Sequence, residues 1–154
     1  MSNIVTALQS KFDNTTVLTD LQDMAKYVTD WPGKLTGKAL AVARPSSTEE
    51  VAAVVKLALG HGTPIVPQSG NTGVAGGSVP DDSGAAIVLS LERMNKIRDI
   101  SPSAMTTTVE AGCVLETLHE TVEAQNLFFP LNFGAKGSCM IGGNLATNAG
   151  GQNV

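Results

Sequence analysis

The early part of the chain carries hydrophobic side chains at the three- and four-residue intervals that are typical of an amphipathic helix. This spacing predicts helix across residues 3–30, and the Trp-Pro-Gly segment that starts at Trp31 ends it, because proline and glycine break helices. Trp31 is the single tryptophan of the chain. We expect it to cap the core, since large aromatic side chains usually serve packing, and the alternative is that it borders a ligand. The helical pattern rests on Ile4, Val5, Leu8, Phe12, Leu21, Met24, Ala25 and Val28.

A strand–helix–strand pattern follows and leads directly into a glycine-rich stretch. The apolar run 39–43 predicts a buried strand. Ser47 and Glu50 form a Ser-x-x-Glu capping box, which predicts a helix that a pair of glycines ends. Residues 64–66 predict the next strand, and the first glycine stretch, residues 67–78, follows it without a break. Because ligands bind at the carboxyl ends of strands in open α/β sheets, this βαβ unit places the stretch where a ligand site is expected.

The second half of the chain predicts three more strands and one helix. The apolar run 85–90 favours a central strand, residues 97–100 a short strand, and the alternating run 106–110 a strand with one wet face. Residues 114–125 carry the hydrophobic spacing of a helix. The second glycine stretch, residues 134–151, comes last, and we expect it to be a loop.

The two glycine stretches hold most of the glycines in the chain, four in the first and six in the second, of 16 in all. Glycine lets the backbone approach a ligand closely, and the Ser, Thr and Asn residues between the glycines are short hydrogen-bond donors. Small donors and bare N–H groups together suit an anionic group such as a pyrophosphate. A single glycine loop is usually a surface turn. Two long loops that are both rich in glycine and small polar residues favour ligand binding instead. Neither stretch contains Gly-x-Gly-x-x-Gly or Gly-Lys-Ser/Thr, so a Rossmann domain and a P-loop nucleotidase are not expected.

The charge and the cysteine count argue against several function classes. The net charge is −4 and no basic patch occurs, which argues against nucleic acid as the partner. No apolar run is long enough to span a bilayer, and the N-terminus lacks the pattern of a secretory signal. Two cysteines make no disulfide framework, so a reduced, cytoplasmic setting is the simplest interpretation. The chain stops inside a glycine-rich stretch, and we expect it to be part of a longer protein.

The sequence offers donors for binding but no recognisable catalytic group. No His-x-x-x-His or Cys-x-x-Cys spacing occurs, so we expect no metal site. His61 is interpreted as exposed or as a helix cap and His119 as part of a solvated face, and Cys139 as a small packed residue in preference to a redox thiol. We therefore assign no catalytic residue to this chain.

Several long motifs occur in order along almost the whole chain. They are residues 29–31, 44–51, 64–79, 87–97, 109–112 and 129–131 and, most specific of all, residues 134–151. Together they resemble the FAD-linked oxidases of the vanillyl-alcohol oxidase type, most closely the D-2-hydroxyglutarate, D-lactate and glycolate dehydrogenase group. The resemblance implies an α+β fold, namely the N-terminal part of a two-subdomain, PCMH-type FAD-binding fold with a βαβ-containing first subdomain. The implied domains are an N-terminal helical segment, residues 1–38, and an FAD-binding domain, residues 39–154, incomplete at its C-terminal side.

The resemblance implies FAD as the cofactor, with its pyrophosphate wrapped by the first glycine stretch and its isoalloxazine and ribityl side lined by the second. Some relatives attach the flavin through a histidine in the first stretch. None stands at residues 70–72, so non-covalent FAD is expected. Ser69 occupies a position where the resembling branch usually has glycine, which is tolerated if its φ is negative. The residues expected around the pyrophosphate are Pro67, Gln68, Ser69, Gly70, Asn71, Thr72, Gly73, Gly76, Gly77 and Ser78. The other residues expected to bind the cofactor are Pro130, Leu131, Gly134, Ala135, Gly137, Ser138, Cys139, Ile141, Gly142, Gly143, Asn144, Thr147, Asn148 and Gly150.

The implied activity is the oxidation of a small-molecule D-2-hydroxy acid by hydride transfer to the flavin, followed by electron transfer to an unknown acceptor. The residues that would select the substrate are expected beyond the end of this chain, and a homodimer is a further expectation. Two alternatives stay open. One is a non-enzymatic nucleotide- or phosphate-binding module, and the other is an incomplete fragment that binds no ligand firmly.

Overall fold

The computed structural model describes residues 3–151 and 153–154, and its α+β fold confirms the predicted fold class. Within those residues, a four-stranded sheet with three helices forms the first part, and a two-stranded sheet with two helices forms the second. The helices are α1 (Ile4–Lys11), α2 (Leu21–Val28), α3 (Thr48–Gly60), α4 (Leu115–Glu123) and α5 (Ile141–Ala146). The strands are β1 (Val17–Leu18), β2 (Val42–Ala43), β3 (Ile65–Gln68), β4 (Ile87–Ser90), β5 (Ile97–Ser101) and β6 (Thr106–Val109).

The four-stranded sheet has the order β1-β2-β4-β3, in which β2, β4 and β3 are parallel and β1 is antiparallel at one edge. The predicted βαβ unit is confirmed as β2, α3 and β3, with β4 inserted between its two strands. Val42 and Val66 both pair with Val88 in this central strand. The first glycine stretch connects β3 to β4, so it leaves the sheet at the carboxyl end of a parallel strand.

Hydrophobic side chains cover both faces of this sheet. Ile87 and Leu89 of β4 pack with residues of α1 and α3, whereas Val88 packs with residues of α2. The alternation follows from the two-residue period of a strand, and both faces are apolar because helices cover both. The helix residues in these cores include Ile4, Leu8, Val54 and Ala58 on one face and Met24 and Tyr27 on the other.

The prediction of helix across residues 3–30 is wrong, because a turn and strand β1 interrupt it. The Asp13 carboxylate accepts hydrogen bonds from the backbone N–H groups of the two threonines that follow, at 2.8 Å for Thr16, and this turn prevents the helix from continuing. Strand β1 then pairs with β2, and the Asp20 carboxylate caps α2. The helical spacing is real, but it belongs to two separate helices.

The start of α3 matches the predicted capping box in one half only. The Ser47 hydroxyl accepts a hydrogen bond from the Glu50 N–H at 3.2 Å, as predicted. The Glu50 carboxylate instead accepts from the Ser46 N–H at 2.6 Å, one residue before the cap. The helix ends at Gly60, and Gly62 has a φ of +63°, which is the left-handed conformation that glycine favours after a helix.

The second part of the chain confirms its predicted strands and helix, but the second glycine stretch is not all loop. Strands β5 and β6 form an antiparallel pair, and α4 packs its apolar face on the core beside them. Residues 141–146 of the second glycine stretch form α5. Its first N–H groups donate to carbonyls that lie between β6 and α4. Ile141 donates to the Cys113 carbonyl at 2.9 Å and Gly142 to the Ala111 carbonyl at 2.8 Å. These hydrogen bonds to residues far away in the sequence stabilise α5. Its two glycines have a low helix propensity, so the local sequence does not predict it.

A turn at residues 110–113 joins the two parts of the fold. The Gly112 N–H donates to the Met94 carbonyl at 2.8 Å. The buried Glu110 carboxylate accepts from the Lys96 backbone N–H at 2.9 Å and from the Arg98 guanidinium at 3.0 Å. The hydrogen bond from Lys96, followed by those from Arg98, lowers the pKa of Glu110 below its ordinary value. No helix in the part of the chain described here is long and apolar enough to cross a membrane.

Candidate functional site

The two glycine stretches are in direct contact, as expected if they form one site. A Cβ at Gly70 would overlap the Ser138 carbonyl oxygen and would stand 2.8 Å from the Cα of Cys139. The Gly143 N–H donates to the Ser69 hydroxyl at 3.1 Å. Glycine is therefore required at position 70 because two backbone segments approach each other there. Ser69 does not fall among the residues with positive φ, so the condition for a serine at this position is met.

The polar side chains of the first glycine stretch hold the stretch in place. The Asn71 amide donates to the Thr29 carbonyl at 2.8 Å and accepts from the Ser78 hydroxyl at 2.7 Å. The Gln68 amide donates to the Tyr27 carbonyl at 2.8 Å and to the Ser78 carbonyl at 2.7 Å. Asn71 has a φ of +50°, a conformation that asparagine tolerates better than most residues. These amides fix the stretch against the end of α2 and have little capacity left for a ligand.

The backbone N–H groups of the first glycine stretch remain open. Across the described residues, no N–H from residue 69 to residue 78 donates to a protein acceptor. We call this segment the open run. Gly73 and Gly77 within it have no atom within 4 Å of where a Cβ would be, so space lies beside their backbone. Consecutive N–H groups without partners, next to space that only glycine leaves free, fit an anion such as the pyrophosphate of a dinucleotide.

Most N–H groups of the second glycine stretch are already used in hydrogen bonds within the protein. N–H groups of residues 136, 138, 139, 141, 142 and 144 all donate to protein carbonyls. Three of its predicted cofactor-binding residues, Cys139, Ile141 and Asn144, have buried side chains, as does Leu131 just before the stretch. Burial raises the pKa of the Cys139 thiol, although an Asn144 hydrogen bond opposes that shift. Cys139 is thus a packed residue, as interpreted from the sequence, and the Asn144 amide donates to its sulfur at 3.5 Å.

The other predicted cofactor-binding residues in and just before the second stretch are accessible. Gly134, Gly137, Thr147, Asn148 and Gly150 are exposed, and Pro130, Ala135, Ser138, Gly142 and Gly143 are half-buried. Ser138 and Gly143 lie against the first stretch. The assignment of all these residues to a cofactor stays a prediction.

A cleft of about 450 Å³ opens beside the contact between the two stretches. This volume lies within the range of ligand pockets, about 300–1,000 Å³. Gly70 and Ser138 contribute to its wall together with residues that the sequence reasoning did not assign to a site. Those residues are Lys26, Tyr27, Thr29, Asp30, Trp31, Glu92 and Met140. The motif at residues 29–31 could have identified Thr29, Asp30 and Trp31 as site residues, but no role could be assigned to it from the sequence.

Four ionisable side chains meet at one side of this cleft. The Glu92 carboxylate accepts hydrogen bonds from the Tyr27 hydroxyl and from Arg44 at 3.1 Å, and lies 3.4 Å from the Lys26 ammonium. Burial would raise the pKa of Glu92, but the Tyr27 hydrogen bond and the charges of Lys26 and Arg44 lower it below its ordinary value. Burial and the bond to Glu92 raise the pKa of Tyr27. At neutral pH, Glu92 is therefore ionised and fully partnered, which suits a structural role.

The prediction that Trp31 caps the core is wrong, because 60% of its surface is exposed. It stands in a turn after α2 at the rim of the cleft. His119, which was expected to be exposed, is half-buried, and its Nε2 lies 2.8 Å from the Leu131 carbonyl oxygen. Among the residues described, no group of three or more His, Cys, Asp or Glu side chains could hold a metal ion.

Comparison with known proteins gives a match to the FAD binding domain family over residues 39–154. The chain is 43% identical over 150 residues to D-2-hydroxyglutarate dehydrogenase of Xanthomonas citri pv. viticola, covering 97% of this chain and 31% of that protein. It is 40% identical over 140 residues to the mitochondrial D-2-hydroxyglutarate dehydrogenase of Bos taurus, covering 90% of this chain and 25% of that protein. The chain therefore spans less than a third of the length of these two relatives.

Solved structures show the same fold. Alkyldihydroxyacetonephosphate synthase superposes with a TM-score of 0.84 at 21% identity, over 96% of this chain and 32% of that one. Substrate-bound p-cresol methylhydroxylase superposes with a TM-score of 0.77 at 25% identity, over 92% of this chain and 28% of that one. Both likenesses cover more than nine-tenths of this chain and therefore extend across the two parts of the fold.

Proposed function

Because this chain belongs to the FAD-binding domain family, which matches it over residues 39–154, we propose that it supplies the FAD-binding part of a flavin-dependent oxidoreductase. The sequence resemblance to FAD-linked oxidases is confirmed, and FAD is the cofactor of this family. The observation that carries the proposal is the open run at the carboxyl end of β3, held against the second glycine stretch. We also propose the division into an N-terminal helical segment, residues 1–38, and an FAD-binding part, residues 39–154.

In this proposal the open run binds the FAD pyrophosphate through backbone N–H groups. Residues 67–78 contain no lysine or arginine, so peptide dipoles supply the attraction to the anion. Gln68, Asn71 and Ser78 act by holding the run in position through their side-chain hydrogen bonds. The accessible residues of the second stretch lie toward the ribityl and isoalloxazine side. The first stretch has no histidine, so the attachment is non-covalent.

The proposed reaction is the oxidation of a D-2-hydroxy acid. The bound flavin supplies the hydride acceptor, and the residues of this chain bind and orient it. The support is the similarity to proteins named D-2-hydroxyglutarate dehydrogenase in both bacteria and animals. We assign substrate selection and catalysis to residues outside this chain, and electron transfer to a separate acceptor.

A cytoplasmic location and a homodimer are further parts of the proposal. The relative from Bos taurus is named mitochondrial, so a mitochondrial location is the alternative. Cell fractionation tests the cytoplasmic location, and recovery of the protein in the mitochondrial fraction would contradict it. Light scattering tests the homodimer, and the mass of a monomer would contradict it.

Titration with FAD tests the cofactor assignment. Replacement of Gly77 by alanine should weaken FAD binding about tenfold or more, a loss of roughly 1.4 kcal/mol, while the thermal midpoint of the free chain stays unchanged. The reason is that a Cβ at this position meets no protein atom but would occupy the space beside the open run. Gly60→Ala is the matched control, since its Cβ also meets no atom and lies at the end of α3, away from the cleft.

Three other outcomes would contradict this proposal. A wild-type chain that takes up no FAD would fit the alternative of an incomplete fragment. Equal affinity for FAD and for ADP would favour a general nucleotide-binding module. Equal FAD affinity for Gly77→Ala and Gly60→Ala would remove the open run from the site.

A further inference from the structure

Trp31 is a large aromatic side chain that the fold keeps in contact with solvent at the rim of the cleft. Tryptophan is usually well buried because its surface is large and mostly apolar. Here 60% of it is exposed, and it is the only tryptophan in the chain. It lines the same 450 Å³ cleft as Ser69 and Gly70, the first two residues of the open run.

The turn that carries Trp31 is firmly held. Asp30 is only 5% exposed, and its carboxylate accepts hydrogen bonds from the Lys34 N–H at 2.7 Å and the Leu35 N–H at 2.9 Å. Thr29 and Thr36 close the turn through an antiparallel bridge. The exposure of Trp31 is therefore a property of an ordered turn and not of a loose segment.

This turn is also fixed to the first glycine stretch. The Asn71 amide donates to the Thr29 carbonyl at 2.8 Å, just before the turn. On the other side, a Cβ at Gly76 would stand 2.5 Å from the Leu35 side chain, so these two residues are in close contact. Trp31 and the start of the open run, residues 69–71, are thus held in a constant relation around one cleft.

We propose that Trp31 stacks against a planar aromatic ring of the FAD whose pyrophosphate binds the open run. The inference rests on the proposed function and adds a residue that contacts the cofactor from the N-terminal segment. Stacking on the indole would cover the exposed apolar surface, which stabilises the bound state. Removal of an aromatic side chain on which a base stacks weakens binding by about 5- to 100-fold.

Both ends of the dinucleotide carry such a ring, the isoalloxazine at one and the adenine at the other. Both are planar aromatic rings, and Trp31 could stack on either. Smaller probes distinguish them, because FMN contains only the flavin ring and ADP only the adenine ring with a diphosphate.

The test compares FAD dissociation constants for the wild-type chain, Trp31→Leu and Trp31→Phe. We expect Trp31→Leu to weaken binding about 5- to 100-fold, and Trp31→Phe to weaken it less because a smaller ring still stacks. The thermal midpoints of the free variants should stay close to that of the wild type, since an exposed side chain contributes little to the core. Leu59→Ala is the control, because Leu59 is 81% exposed on α3 and does not line the cleft.

Repeating the comparison with FMN and ADP assigns the ring. A loss of affinity for FMN places the isoalloxazine on Trp31, and a loss for ADP places the adenine there. If Trp31→Leu binds FAD as tightly as Leu59→Ala does, the stacking inference is wrong while the FAD assignment stands. If the wild-type chain binds no FAD, both are wrong.

Discussion

Replacing Gly70 by alanine is expected to separate the two glycine stretches, destabilise the chain by about 1–3 kcal/mol and weaken FAD binding about tenfold or more. The added Cβ would overlap the Ser138 carbonyl oxygen and crowd the Cα of Cys139. Both are backbone atoms, so the clash cannot be relieved by rotating a side chain. Relief requires the stretches to move apart, which would also disturb the hydrogen bond from Gly143 to Ser69.

Thermal denaturation and FAD titration measure the two parts of this effect. Gly73→Ala is the control for stability, because its Cβ would meet no atom within 4 Å although it lies in the same stretch. Its thermal midpoint should equal that of the wild type, whereas the midpoint of Gly70→Ala should fall by several degrees. A wild-type midpoint for Gly70→Ala would show that the two stretches are not packed as described.

Replacing Gly112 by alanine should lower the free energy of unfolding by about 3 kcal/mol, at the upper end of the usual cost of overpacking. Its Cβ would overlap the Leu91 carbonyl oxygen and stand 2.9 Å from the Met94 carbonyl oxygen. The Gly112 N–H also donates to the Met94 carbonyl, so a shift of the turn would break that bond. The turn joins the two parts of the fold, and the strain therefore acts on both.

Urea denaturation measures this loss, with Gly134→Ala as the control because its Cβ would meet no atom within 4 Å. The midpoint should fall clearly for Gly112→Ala and stay at the wild-type value for Gly134→Ala. Equal midpoints for the two variants would contradict the junction described at residues 110–113.

Local sequence signals predicted much of the fold. Ser47 and the apolar spacing that follows it predicted α3, since a cap and a periodic face act within a few residues. Strand β1 was missed because a two-residue strand exists only through its pairing with β2. Helix α5 was missed for a related reason, since its first N–H groups are satisfied by carbonyls of residues 111 and 113.

The candidate site was located from sequence, but the roles of its residues were not. Glycine content identified the two stretches. The sequence could not show that the Asn71 and Gln68 amides are committed to carbonyls of Thr29 and Tyr27, about forty residues earlier. Nor could it show that Trp31 is exposed, because the hydrogen bonds that order its turn depend on the buried position of Asp30.

Amide hydrogen exchange with and without FAD tests the central claim most directly, because it reads the backbone N–H groups themselves. In the free chain, the amides of residues 69–78 should exchange quickly, since they donate to no described acceptor. The Gly142 amide, bonded to the Ala111 carbonyl, should be slow in both states and serves as an internal reference. Saturating FAD should slow exchange in residues 69–78 by about tenfold or more. Bound FAD with unchanged exchange across residues 69–78 would contradict the assignment of the open run to the pyrophosphate.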